Sequence, residues 1–217
     1  MSKIIVLVGA PGAGKGTQAR LIQERLKLPQ ISTGDILRAR AEAGDPLGEE
    51  IRALQSAGML APDDLVIRVV QDRTACEDCR DGYVLDGFPR TLAQAIMLEE
   101  LAQEQNKRIA AVAIDVPLDI LEKRTTGRRS CPVCGEIYNM YFKPPQSDET
   151  CDHHAGVKLV LRADDSVEKV RVRLETYEHT TRPLLAYYEE SGRLQRVDGT
   201  KDRETIYREL EKIIKEG

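Results

Sequence analysis

Residues 9–17 read Gly9-Ala10-Pro11-Gly12-Ala13-Gly14-Lys15-Gly16-Thr17 and follow directly on the apolar run Ile4-Ile5-Val6-Leu7-Val8. A buried strand that runs into a glycine-rich turn and then a helix forms a phosphate cradle. Glycines let backbone N–H groups curl around an anion that a side chain would keep away. The helix that follows turns its positive dipole end toward the same anion. Lys15 adds a mobile point charge. The segment therefore commits the chain to an α/β fold and to a nucleotide polyphosphate as ligand.

The pattern GxxxxGK[ST] is met through Lys15, but Gly16 stands where the hydroxyl residue is expected, and the hydroxyl comes one place later at Thr17. The Ser/Thr after the lysine ordinarily holds Mg²⁺ directly. Here the ion is expected to be held mostly through water, with Asp86 close by.

A chain of 217 residues suits one α/β domain with inserts or two small ones, and it can bury a sizeable core. The net charge of −4 argues against a general nucleic-acid binder. No apolar run approaches the roughly 20 residues of a membrane span, so the expectation is a cytoplasmic protein. Strand-like runs recur at 4–8, 83–86, 109–116 and 194–197, with a short one near 29–32. Helical patterns occupy 15–26, 34–43, 47–57, 63–74, 91–105, 117–127, 166–190 and 202–215, with Thr33, Asp63, Thr91 and Ser166 as candidate N-caps. Such alternation implies a parallel sheet covered on both faces. Two segments interrupt it. Residues 33–60 hold two or three helices without a strand, and residues 128–164 are rich in Cys, Pro, Gly, Tyr and His with almost no helical period. Both read as inserts able to close over a phosphate site and exclude water.

A second anion site is written beside the first. Leu85-Asp86-Gly87-Phe88-Pro89-Arg90 follows a strand and places Asp86 at its C-terminal end, where ligands gather in open parallel sheets. Arg90 offers a planar fork suited to phosphate. Upstream, Ile31-Ser32-Thr33-Gly34-Asp35-Ile36-Leu37-Arg38 ends a strand and puts Arg38 on the first turns of a helix.

Cys131-Pro132-Val133-Cys134 and Cys151-Asp152-His153-His154 supply CxxC and CxxH, a structural-zinc spacing. Three thiolates and one imidazole close a tetrahedral shell and would staple a segment too poor in apolar residues to build its own core. His154 has the paired +3 spacing, and His153 competes for the place. Cobalt or iron fit similar ligands. Cys76-Glu77-Asp78-Cys79 has no second pair and reads as one or two structural reduced thiols. His179 reads as a surface residue.

GAPGAGKGTQA, ISTGDILR and LDGFPRT, in this order, together with GRR at 127–129, RADD at 162–165 and VDGTK at 197–201, resemble the adenylate kinase family over essentially the whole chain. The resemblance implies a five-stranded parallel sheet of the P-loop NTPase type, strand order 2-3-1-4-5, flanked by helices and carrying two lid inserts. It implies a CORE at 1–31, 61–127 and 165–217, an AMP-binding insert at 32–60 and a zinc-binding LID at 128–164, with hinges near 32, 60, 127 and 164. The activity it implies is ATP + AMP ⇌ 2 ADP with Mg²⁺, in a monomer without nucleic-acid or membrane partners, whose turnover is limited by opening or product release. By motif position, ATP would be held by Gly12, Ala13, Gly14, Lys15, Gly16, Thr17 and Arg124, with Ile137, Tyr138, Gly199, Thr200 and Lys201 around its base and ribose. AMP would be held by Thr33, Arg38, Met59, Leu60, Ala61, Gly87, Arg90, Gln94, Arg162 and Arg173. Arg124, Arg128, Arg162 and Arg173 would close on the phosphates and, with Lys15 and Arg90, carry the catalysis. The fourth metal position varies within the family, which accommodates a histidine there.

Phosphoryl transfer between two polyanions needs preorganised cations, and an acceptor that is already an anion needs no general base. Arg124 and Arg128, spaced i,i+4, are expected on one helix face. Arg171 and Arg173 cannot both face a cleft, and Arg173 is preferred. Arg129 and Arg171 read as solvated. A kinase for GMP or for UMP/CMP is a second enzyme reading. A zinc-ribbon nucleic-acid binder is opposed by the acidity and by the few aromatics, seven Tyr, two Phe and no Trp. A nucleotide switch without transfer activity would not need the second arginine set.

Overall fold

The computed structural model describes residues 2–42, 44, 46–57, 59–147, 149–162 and 164–216. The chain runs β1 (Lys3–Val8), α1 (Lys15–Leu26), β2 (Gln30–Ser32), α2 (Thr33–Ala41), α3 (Pro46–Ser56), α4 (Asp63–Thr74), β3 (Gly82–Asp86), α5 (Leu92–Glu104), β4 (Arg108–Asp115) and α6 (Leu118–Thr126). It continues through β5 (Arg128–Ser130), β6 (Ile137–Asn139), α7 (Val167–Thr176), α8 (Pro183–Glu190), β7 (Leu194–Asp198) and α9 (Arg203–Glu216). Five strands pair in parallel in the order β2-β3-β1-β4-β7. Counting core strands alone, this is the expected 2-3-1-4-5.

The apolar run of β1 is continuous because both faces of the sheet are covered. Ile4, Val6 and Val8 enter the buried cluster on one face and Ile5 and Leu7 the cluster on the other, the period-2 alternation of a strand between two layers. Parallel pairing brings every strand's C-terminal end to one edge. The glycine loop after β1, Ser32 closing β2 and Asp86 closing β3 meet there.

The helix expected over 166–190 is divided. α7 ends at Thr176, a π-helical turn spans Tyr177–Thr181, and α8 starts at Pro183. Proline has no N–H to continue the ladder, and the turn before it widens, with Arg182 N donating to Tyr177 O at 2.8 Å. The widened turn delivers the Thr181 hydroxyl to the Arg90 carbonyl at 2.9 Å. Capping also departs from expectation. Ser32, not Thr33, caps α2, accepting from Asp35 N. Pro62 precedes Asp63, which is the first residue of α4, and Ser166 sits at the α7 cap position without a side-chain cap bond. Thr91 does cap α5. Ala43, where the helix of 34–43 was expected to end, lies outside the described residues.

Residues 128–162 contain no helix among those described. They form the antiparallel pair β5–β6 and turns around a small buried group, Cys131, Tyr138, Cys151 and Leu159.

Candidate active site

The glycine loop enters α1 through Gly14, and the Lys15 ammonium folds back to donate to the carbonyls of Gly9 at 2.6 Å and Ala10 at 3.1 Å. Burial pulls Lys15 down to about 8, with Asp86 opposing and Arg90 and other arginines assisting. Gly12 has φ +87°, and a Cβ there would stand 2.5 Å from Thr125 Oγ1 and 2.8 Å from Leu121 O. A Cβ at Gly16 would stand 3.0 Å from Asp86 Oδ2. A side chain at position 16 would crowd the carboxylate closing β3, which would have to give by a few tenths of an ångström. Asp86 accepts from Gln30 Nε2 at 3.2 Å and faces the same cleft.

The second pocket is organised around one carbonyl. Gly87 O accepts from the Thr33 hydroxyl at 2.8 Å and from Arg90 Nε at 2.7 Å. Gln94 Oε1 accepts from Arg90 N at 2.8 Å, while its Nε2 donates to Asp63 Oδ1 at 2.6 Å. Thr33 and Gln94 are both 2% exposed, and each is engaged in holding the loop that carries Arg90. Arg38 lines the cleft and pairs with Asp35. Burial raises the Asp35 carboxyl, but the Arg38 guanidinium prevails and holds it below its ordinary value. Leu60 borders a smaller cavity of about 80 Å³ with Gly87 and Arg90. Met59 is 58% exposed, and Ala61 packs against the apolar cluster.

A cleft of about 960 Å³ joins the two pockets, at the top of the roughly 300–1,000 Å³ range of small-molecule sites. Residues 12–17, Arg38, Asp86, Gly87, Arg90, Arg124, Arg128, Ile137, Tyr138, Arg162, Arg173 and Lys201 all line it. Arg124 and Arg128 do not share a helix face. α6 ends at Thr126 and Gly127 closes it, so Arg128 stands in β5. It reaches the cleft through Asp165, the last residue of the RADD run. Asp165 is 1% exposed and accepts from Arg128 Nε at 2.7 Å, Arg128 Nη2 at 2.6 Å and Arg173 Nη1 at 2.9 Å. Burial lowers Arg128, but these bonds outweigh it and raise it overall. Arg124 Nη1 donates to Gly199 O at 2.8 Å. Arg171 is exposed, and Arg129 donates to the carbonyls of Thr126 and Arg128.

In residues 128–162, Cys131, Cys134, Cys151 and His154 bring their ligand atoms within 4.8 Å of one another. Cys134 Sγ lies 3.8 Å from Cys151 Sγ, and Cys151 Sγ 3.6 Å from His154 Nδ1. Donors held tetrahedrally by bonds of about 2.3 Å to sulfur and about 2.1 Å to nitrogen stand about 3.6–3.8 Å apart, so the group fits a structural zinc ion. Burial raises the Cys151 thiol, but hydrogen bonds from His154 and its neighbours win and pull it down to about 6, toward the thiolate that binds metal. His154 is the fourth member, and His153 lines the cleft instead. Of the other CxxC, Cys79 is buried and Cys76 exposed, both as free thiols.

The sequence model of the family described as adenylate kinase matches residues 7–193. The chain belongs to the adenylate kinase family. It is 48% identical over 216 residues to the adenylate kinase of Thermotoga neapolitana, covering 99% of this chain and 98% of that one. It is 46% identical over 211 residues to those of Thermodesulfovibrio yellowstonii and Archaeoglobus fulgidus, with 97% of this chain covered in each case and 98% and 97% of the relatives.

For an adenylate kinase the charge balance of the cleft is informative. Among the described residues, Arg90, Arg124 and Arg162 have no carboxylate at ion-pair distance. Burial lowers all three, taking Arg162 to about 10, and neighbouring arginines add to the effect at Arg90 and Arg162. Half-buried cations without carboxylate partners favour a polyanion between them.

Proposed function

We propose that the cleft performs ATP + AMP ⇌ 2 ADP, with ATP on the glycine loop and AMP beside Arg38 and Arg90. The observation that carries this is the pair of anion sites, Lys15 with its loop and Arg90 with Gly87, opening into one cavity under a shared set of arginines. Transfer between two phosphates gathers negative charge in one place, and its transition state spreads that charge over the equatorial oxygens. Lys15, Arg90, Arg124, Arg128, Arg162 and Arg173 supply positive charge there without reorganising during the reaction. The acceptor phosphate is its own nucleophile, so no side chain is assigned as a base. Mg²⁺ bound with ATP neutralises phosphate charge, and Asp86 would orient its water ligands. Ile137, Tyr138 and Lys201 flank the base and ribose of ATP, and residues 59–61 with Thr33 and Gln94 shape the AMP side.

In this reading residues 1–31, 61–127 and 165–217 form the CORE, 32–60 the AMP-binding insert and 128–164 the LID, stapled by zinc on Cys131, Cys134, Cys151 and His154. Closure of the two inserts excludes water from the donor phosphate. No helix of the described residues is long and apolar enough to cross a membrane, and a cytoplasmic monomer working on free nucleotides is the setting this reading assigns. A coupled assay that mixes ATP with AMP, GMP, UMP or CMP in turn and follows ADP tests it. ADP formation with AMP is expected, and no turnover with any monophosphate would discard the kinase reading.

A further inference from the structure

Tyr138 occupies two sites at once. It lies on β6, lines the nucleotide cleft and is 1% exposed. Its phenolic oxygen accepts from Asp152 N at 2.9 Å, inside the CxxH segment. That bond uses an oxygen lone pair and leaves the phenolic proton free. The other polar atom at the hydroxyl is Cys151 Sγ, 3.7 Å away. A sulfur that ligates metal is a thiolate with no proton to give, so at this second contact Tyr138 O–H is the donor. Thiolates that ligate metal carry excess charge, and hydrogen bonds from surrounding groups set both their basicity and their orientation. The next residue on β6, Asn139, donates from Nδ2 to Arg124 O at 2.8 Å. One three-residue strand therefore touches the metal group, the cleft and the backbone of a cleft arginine.

We propose that Tyr138 is a positioning residue for the lid metal, donating its phenolic proton to the Cys151 thiolate and so tying metal occupancy to the strand that faces the nucleotide. The proposal rests on the Cys131, Cys134, Cys151 and His154 site being a metal site. By linkage, metal that orders β6 strengthens ATP binding, and ATP strengthens metal binding by the same factor.

Cobalt loaded into the full, metal-freed chain reports the bond directly through the thiolate-to-cobalt charge-transfer band. A hydrogen bond stabilises the sulfur lone pair, so Tyr138→Phe should move the band to lower energy. It should also weaken metal binding, read by chelator competition, by about 10- to 100-fold. Replacing all tyrosines with 3-fluorotyrosine keeps the hydroxyl, makes it a stronger donor and should move the band to higher energy. This second measurement decides the matter if the Phe variant fails to fold. ATP affinity by calorimetry should be higher in the metal-loaded than in the metal-free native chain, with the difference shrinking in Tyr138→Phe. A band unmoved by both replacements overturns the hydrogen bond. Equal ATP affinity of loaded and metal-free native chain overturns the coupling. Native chain that takes up no cobalt overturns the metal site itself and is told apart from both by the missing band.

Discussion

The sheet and its helices are held in one way, and residues 128–162 in another. The sheet separates two large apolar clusters, fed by alternate residues of every central strand and by α1, α4, α5, α8 and α9. Its stability is spread over many side chains, each contributing a small share. Residues 128–162 bury only Cys131, Tyr138, Cys151 and Leu159 among those described, and two of those belong to the metal-fitting group. Their order is concentrated in a few bonds. A metal staple gives a segment internal rigidity without a large buried apolar surface. The cleft between them belongs to neither scheme, because its half-buried, desolvated cations work against folding and in favour of ligand.

Four experiments bear on this contrast, in order of expected effect. Arg90→Ala should lower kcat by on the order of 10³-fold while leaving the unfolding midpoint nearly unchanged, since it removes a desolvated cation with no carboxylate partner among the described residues. Unchanged steady-state rates would remove Arg90 from the site. Leu98→Ala, at a fully buried position of α5, should cost about 2–5 kcal/mol in chemical denaturation and lower amide protection throughout the sheet. Stripping the metal, or Cys134→Ser, should accelerate amide exchange over 128–162 by about a hundredfold or more and leave β1, β3 and β4 protected. Equal acceleration in both regions would mean that lid and sheet unfold as one unit.

The smallest effect is in pH. Lys15 sits near 8 in the folded chain, below its ordinary 10.5. Between these values the unfolded chain binds more protons, so this group's contribution to stability rises with pH across that window. ATP binding needs the ammonium, so affinity should fall above pH 8 by up to about tenfold per pH unit, with proton uptake seen in calorimetry at pH 8.5. Binding without proton uptake would contradict the burial of Lys15.

Much of the fold was legible because its signals are local. The run Ile4–Val8 and the glycines after it announce strand, turn and helix within a few residues, and the five core strands follow the expected spans. The arginine set was harder. Arg124 and Arg128 have helical spacing, but Gly127 ends α6 between them, and the two reach the cleft from different elements. Pro183 was visible in the sequence, yet the π-helical turn it provokes has meaning only because Arg90 O lies across from Thr181.

By itself the sequence determined the phosphate loop, the alternation that makes a parallel sheet and the cysteine spacing of the lid, because each depends on residues within one turn or one strand. Tertiary structure alone decided that Asp165 gathers Arg128 and Arg173 and that the Asp86 carboxylate crowds position 16. Those outcomes turn on contacts between residues far apart in the chain, where burial makes charge and space costly and spacing along the sequence carries no record of either.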